Sequence, residues 1–78
     1  MSKNIVHQYF KKTIDGATII VKVNPIYYKG LELTIPAGGK PELREMEFDA
    51  AILEDLRADG FTEVSALEFN LYESGLME

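Results

Sequence analysis

The 78-residue chain contains no cysteine. Disulfides, a thiolate nucleophile and cysteine-ligated metals are therefore excluded. Small secreted domains usually depend on such cross-links, so the composition favours a cytoplasmic address. Histidine occurs once, at His7, and a lone histidine on a strand is far more often a solvated side chain than a general base. No apolar run approaches the ~18 residues of a membrane span. The opening residues, Met1 to Gln8, lack the apolar segment of a signal peptide. No calcium-binding loop spacing, internal repeat or low-complexity segment is present, so the sequence calls for no metal and no cofactor.

What remains is ordinary globular composition, with 46% hydrophobic and 27% charged residues. The length suits a single domain spanning 1–78. Its core is marginal, since a chain of this size buries only ~60% of the surface exposed when unfolded. The net charge of -5 is unevenly spread. From Met1 to Arg44 seven basic residues stand against three acids, a balance of +4. From Glu45 onward ten acids stand against Arg57 alone, a balance of -9. Such asymmetry marks either a charged contact surface or two halves lying side by side with cancelling fields.

The organising stretch is Asn4 to Val23, centred on Asp15-Gly16. Asp-Gly between two apolar-rich runs specifies a type I′ hairpin, because that turn needs φ > 0 at both central residues. Strand one then covers Asn4 to Ile14 and strand two Ala17 to Val23. Pairing Ile14 with Ala17 places Val6, Phe10 and Ile14 on one face with Ala17, Ile19, Val21 and Val23. That face is the expected core, with Gln8 and Lys12 as its polar exceptions. Lys12 is expected to lay its stem on apolar neighbours and keep its ammonium in water. The opposite face carries Ile5, His7, Tyr9, Lys11, Thr13, Thr18, Ile20, Lys22 and Asn24, the mixed character of a solvated sheet face.

Asn24-Pro25 ends strand two, and Gly30 is expected to supply a positive φ in the following loop. Leu31 to Ile35 alternates as strand three, with Leu31, Leu33 and Ile35 inward. Pro36 to Pro41 is a loop. Glu42 to Phe48 reads as strand four, with Met46 and Phe48 inward and Glu45 and Glu47 outward; a longer helix starting at Pro41 is the competing reading. A helix of about ten residues begins at Asp49, capped by that side chain, and ends at Gly60 as a C′ glycine with Phe61 packing back. Thr62 to Tyr72 reads as a further strand from the alternation of Leu67, Phe69 and Leu71. Its competitor is a second helix, because Ser65-Ala66-Leu67-Glu68 matches a capping box. Ser74 to Glu78 is a frayed tail. The sum is an α+β domain: a small antiparallel sheet, a meander of about four strands plus a C-terminal strand, with one short helix on its apolar face.

Several constellations bear on function. Glu45, Glu47 and Asp49, spaced by two, share a face of an extended strand and offer oxygen ligands. Charges on an edge strand equally guard against unwanted pairing, and Asp49 is engaged in capping. Gly38-Gly39-Lys40 has the ingredients of a phosphate cradle, yet it lacks the earlier glycine and following Ser or Thr of a nucleotide-binding loop. No catalytic residue stands out, although Glu45 or Glu47 would become an acid–base candidate if either lined a pocket. The most suggestive set joins aromatic and basic side chains: Tyr9, Lys11 and Lys22 on the outer sheet face, then Tyr27 and Tyr28 in the next loop. These five suit a protein interface, where tyrosines anchor at small entropy cost. They also suit single-stranded nucleic acid, which stacks bases on aromatics beside a cationic track. The acidic chain, with a sequence pI of about 4.8, speaks against nucleic acid. The leading expectation is a small, non-enzymatic interaction domain with a protein partner or a second copy of itself. The alternative is a single-stranded nucleic-acid binder.

Overall fold

A computed structural model describes residues 6–74 of the chain. Five strands and two helices follow in the order β1 (Gln8–Ile14), β2 (Ala17–Asn24), β3 (Lys29–Ile35), β4 (Glu42–Glu47), α1 (Ile52–Ala58), β5 (Thr62–Val64) and α2 (Ala66–Glu73). The strands form one sheet in the order β4-β3-β2-β1-β5, with every neighbouring pair antiparallel. The α+β class and the four-strand meander are as expected. Among the described residues no helix is long and apolar enough to cross a membrane.

The hairpin forms as the Asp-Gly pair demands. Asp15 and Gly16 have φ values of 51° and 83°, and Ile14 pairs with Ala17 and Phe10 with Val21. The first face therefore carries Phe10, Val21 and Val23, all buried. Strand one is shorter at its start than expected. Val6 precedes β1 and is 76% exposed, and Ile14 at the turn is 42% exposed, so neither belongs to the core. Ile5 lies outside the described residues.

The next turn decides where strand three points. Asn24 Oδ1 accepts the N–H groups of Ile26 and Tyr27, and the Tyr28 N–H donates to the Asn24 carbonyl. Tyr28, not Gly30, takes the positive φ, at 57°. Gly30 lies inside β3 and serves another purpose: a Cβ there would sit 1.7 Å from the Lys22 carbonyl oxygen. Four turn residues pair Asn24 with Lys29, so Leu31, Leu33 and Ile35 oppose Lys22, Ile20 and Thr18. The apolar set of β3 thus falls on the face opposite Phe10. The sheet has two apolar faces where one was expected.

Each face receives one helix. The chain leaves β4 at one edge, runs through α1 and returns as β5 at the other. On the way Leu56 packs on Phe10, Val21 and Val23, joined by Phe48, Ile52, Leu53 and Phe61. Asp49 Oδ1 accepts the Ala51 N–H, ahead of the helix proper. The helix ends in the expected glycine motif. The Gly60 N–H reaches Arg57 O and the Phe61 N–H reaches Leu56 O, with Gly60 at φ 93°. Lys12 does more than float its ammonium in water: its Nζ donates to the Asp59 carbonyl at this helix end.

The expected long strand from Thr62 to Tyr72 is two elements. Only Thr62–Val64 pairs, with β1. Ser65 then caps α2, its Oγ accepting the Glu68 N–H at 3.2 Å. The capping box outweighs the period-two alternation because an eight-residue helix lets Phe69 reach a second apolar face. Phe69 is fully buried against Ile20 and Leu33, with Tyr9, Leu31, Ile35 and Tyr72 around it. The face expected to be solvated is therefore half covered. Ser74 closes α2, its N–H donating to Asn70 O; the rest of the expected tail lies outside the described residues.

Candidate functional site

The five aromatic and basic residues singled out by the sequence do not form one open surface. Tyr9 opposes Lys22 in the β1–β2 ladder, as the hairpin register requires. But Tyr9 lies half-buried with its ring 5.4 Å from that of Phe69. Lys11 pairs with Glu68 of α2 at 2.5 Å and sits 5.6 Å from the Tyr72 ring. The hydrogen bond to Glu68 holds the Lys11 ammonium above its ordinary pKa. Lys22 Nζ lies 5.9 Å from the centre of the Phe69 ring. Tyr28 is fixed by its left-handed backbone, and its carbonyl accepts the Phe48 N–H at 2.7 Å. Of the five, only Tyr27 stands well exposed, beside Ile26 on the β2–β3 turn.

The half of the second face that α2 leaves free is a cleft of about 650 Å³. Lys22, Leu31 and Glu45 are consecutive partners across β2, β3 and β4, and Lys29 opposes Glu47 one row along. Because opposed residues point the same way, these side chains converge. His7 and Asn24 complete the rim. The cleft places two lysines and a histidine against two glutamates, over the apolar Leu31. It offers charge of both signs to a ligand, and among the described residues its lining includes no serine, threonine or cysteine. The sequence pattern places Lys22 on this face, but bringing Lys29, Glu45 and Glu47 beside it depends on the β2–β3 register, which local sequence does not fix.

Two weaker candidates resolve more simply. Gly38 and Gly39 line a smaller cavity of about 370 Å³ with Gly16, Thr18, Ile35 and Tyr72, and Lys40 takes no part in it. The Gly39 N–H already donates to Pro36 O, so it is not free to hold an anion. Asp49 uses Oδ1 on the Ala51 N–H, and no group of three or more histidine, aspartate and glutamate side chains among the described residues is placed to hold a metal ion.

The remaining feature is the edge formed by β4. All its residues but Met46 are exposed. The Phe48 N–H turns toward β3 to meet Tyr28. By the alternation of an antiparallel ladder, Glu42, Arg44 and Met46 do the same. The N–H and C=O groups of Leu43, Glu45 and Glu47 therefore face outward from the sheet. Leu43, paired with the buried Leu33, is itself 49% exposed.

Comparison of the chain with known protein families, curated proteins and solved structures finds no match.

Proposed function

We propose that the chain is a small, non-enzymatic interaction domain that self-associates along the open edge of β4. The observation that carries this reading is the state of the sheet's surfaces. One face is covered by α1 and half of the other by α2, whereas β4 presents outward backbone groups and a half-exposed leucine. An exposed edge of this kind is a template for strand addition. A core this small also gains stability from a partner. A cytoplasmic setting belongs to the proposal, supported by a fold that uses no disulfide. The test is size-exclusion chromatography with light scattering over a concentration series at two salt concentrations. A mass that doubles with concentration supports the reading; a strict monomer throughout overturns it.

One observation favours a second reading. Glu45 and Glu47 line the cleft beside His7, which is where a carboxylate acid–base group would have to stand. A working carboxylate titrates well above its ordinary value. NMR pH titration of both glutamates decides the matter, and ordinary values for both would end this reading.

The alternative of a single-stranded nucleic-acid binder draws less support, since Tyr9 packs near Phe69 and Lys11 pairs with Glu68 of α2. We expect fluorescence anisotropy with labelled single-stranded oligonucleotides at low salt to show no saturable binding. Salt-sensitive binding would revive it.

A further inference from the structure

We infer that the partner at the β4 edge is a second copy of this chain, paired antiparallel about a two-fold axis that passes through Leu43. This rests on the self-association proposed above and specifies its geometry. A closed two-fold dimer that continues the sheet keeps each face on its own side. Its axis passes between a residue and the same residue of the other copy. Only registers centred on a β4 residue are therefore allowed, and the charges on that strand discriminate among them.

Centring on Glu42 sets Glu42 against itself. Centring on Arg44, Glu45 or Glu47 likewise opposes identical charges, and centring on Met46 opposes Glu45 with Glu47. Like charges directly opposed destabilise a sheet, and opposite charges stabilise it. Centring on Leu43 opposes no like charges. It sets Glu42 against Arg44 twice, once on each side of the axis, and Met46 against Lys40. Glu45 meets Pro41 and Glu47 meets Gly39, neither of which is charged. The charged edge thus excludes five of the six registers and leaves one.

Two features of the monomer agree with that register. Ile20, Leu33 and Leu43 are successive partners across β2, β3 and β4. They are 0%, 3% and 49% exposed, so Leu43 is the uncovered end of a buried row. Pairing at Leu43 joins this row to its copy and closes the gap. On the other face Glu32 opposes Arg44, with 3.8 Å between their charged atoms. The second copy's Glu42 then brackets Arg44 from the far side. Leu43 also directs its own N–H and C=O outward, so the central pair exchanges two hydrogen bonds.

The chain's lack of cysteine makes the test clean. Single variants Leu43→Cys, Glu45→Cys and Glu47→Cys are oxidised mildly, and cross-linked dimer is read on non-reducing gels. Facing residues of a hydrogen-bonded pair lie ~5.5 Å apart at Cα, within disulfide range. Only Leu43→Cys should cross-link efficiently. In parallel, Glu42→Arg and Arg44→Glu should each weaken the homodimer about tenfold. Mixing the two variants, or combining both changes in one chain, should restore it. Both sites are exposed, and restoration by the double variant shows that folding is intact. A dimer that cross-links at position 45 or 47, or that ignores the charge reversals, overturns the register and leaves self-association standing. A chain that stays monomeric overturns both.

Discussion

Lys11 and Lys12 are neighbours in the chain and fasten different helices. Lys11 Nζ reaches Glu68 of α2 on the second face. Lys12 Nζ reaches the carbonyl of Asp59, at the C-terminal end of α1, on the first. Strand alternation sends the two side chains to opposite sides, and each also approaches an aromatic ring of the region it holds, Tyr72 and Phe61 respectively. The cation at the end of α1 also suits the negative pole of the helix dipole.

The Lys11 contact makes stability depend on alkaline pH. Hydrogen bonding to Glu68 raises the ammonium above its ordinary value of 10.5. Its contribution is fully present below that value and is lost as pH rises through the higher folded value. Lys11→Met should cost about 0.2–1 kcal/mol at neutral pH, the range for a partly exposed pair. It should also remove this alkaline loss. Urea unfolding of both proteins from neutral to strongly alkaline pH checks this, and parallel curves would contradict it.

Phe69 is the anchor of α2. Replacing a fully buried phenylalanine with alanine typically costs about 3–5 kcal/mol. For so small a chain that approaches the whole stability. We expect Phe69→Ala to expose the second face and bind a hydrophobic dye, whereas Phe69→Leu retains cooperative unfolding at a lower melting temperature. An unchanged melting temperature in the alanine variant would show that α2 does not dock as described.

Two glycines should answer differently to alanine. Gly38 has a φ of 74° with open space around it, so only the left-handed backbone resists, at about 1–2 kcal/mol. At Gly30 a Cβ meets the Lys22 carbonyl oxygen, and main chain in a central ladder cannot step aside. Gly30→Ala should cost more than about 4 kcal/mol or abolish folding. Thermal unfolding of the pair gives the order directly; equal losses would be inconsistent with the close approach.

Ser65 separates β5 from α2. Ser65→Ala removes the acceptor for the Glu68 N–H and should cost about 1 kcal/mol. The loss should fall on α2 first, as faster amide exchange at Glu68 and Phe69, whose N–H groups meet Ser65, with exchange at Val21 unchanged. Uniform acceleration across the sheet would indicate that α2 and the sheet unfold as one unit.

Much of this architecture is readable without coordinates. Asp15-Gly16 specifies the hairpin because few turns accept two consecutive positive φ values. Gly60-Phe61 specifies the end of α1 because its hydrogen bonds are local. The strand at Glu42 to Glu47 follows from alternation, and the edge charges that single out one pairing register are likewise plain in the sequence. The second apolar face was legible in part. Ile19-Ile20-Val21 is a continuous apolar run, the mark of a strand buried on both sides, and the capping box at Ser65 was visible beside it.

What local sequence could not decide was where these pieces meet. The face taken by Leu31, Leu33 and Ile35 depends on how many residues the Asn24–Tyr28 turn absorbs, and one residue more or fewer would invert it. That count set the fate of Tyr9, Lys11 and Lys22, moving them from an open surface to the underside of α2 or the margin of a cleft. Hydrogen bonds within a turn are dictated by the residues in it. Burial is a contest among distant segments for the same apolar surface, and only the folded chain settles it.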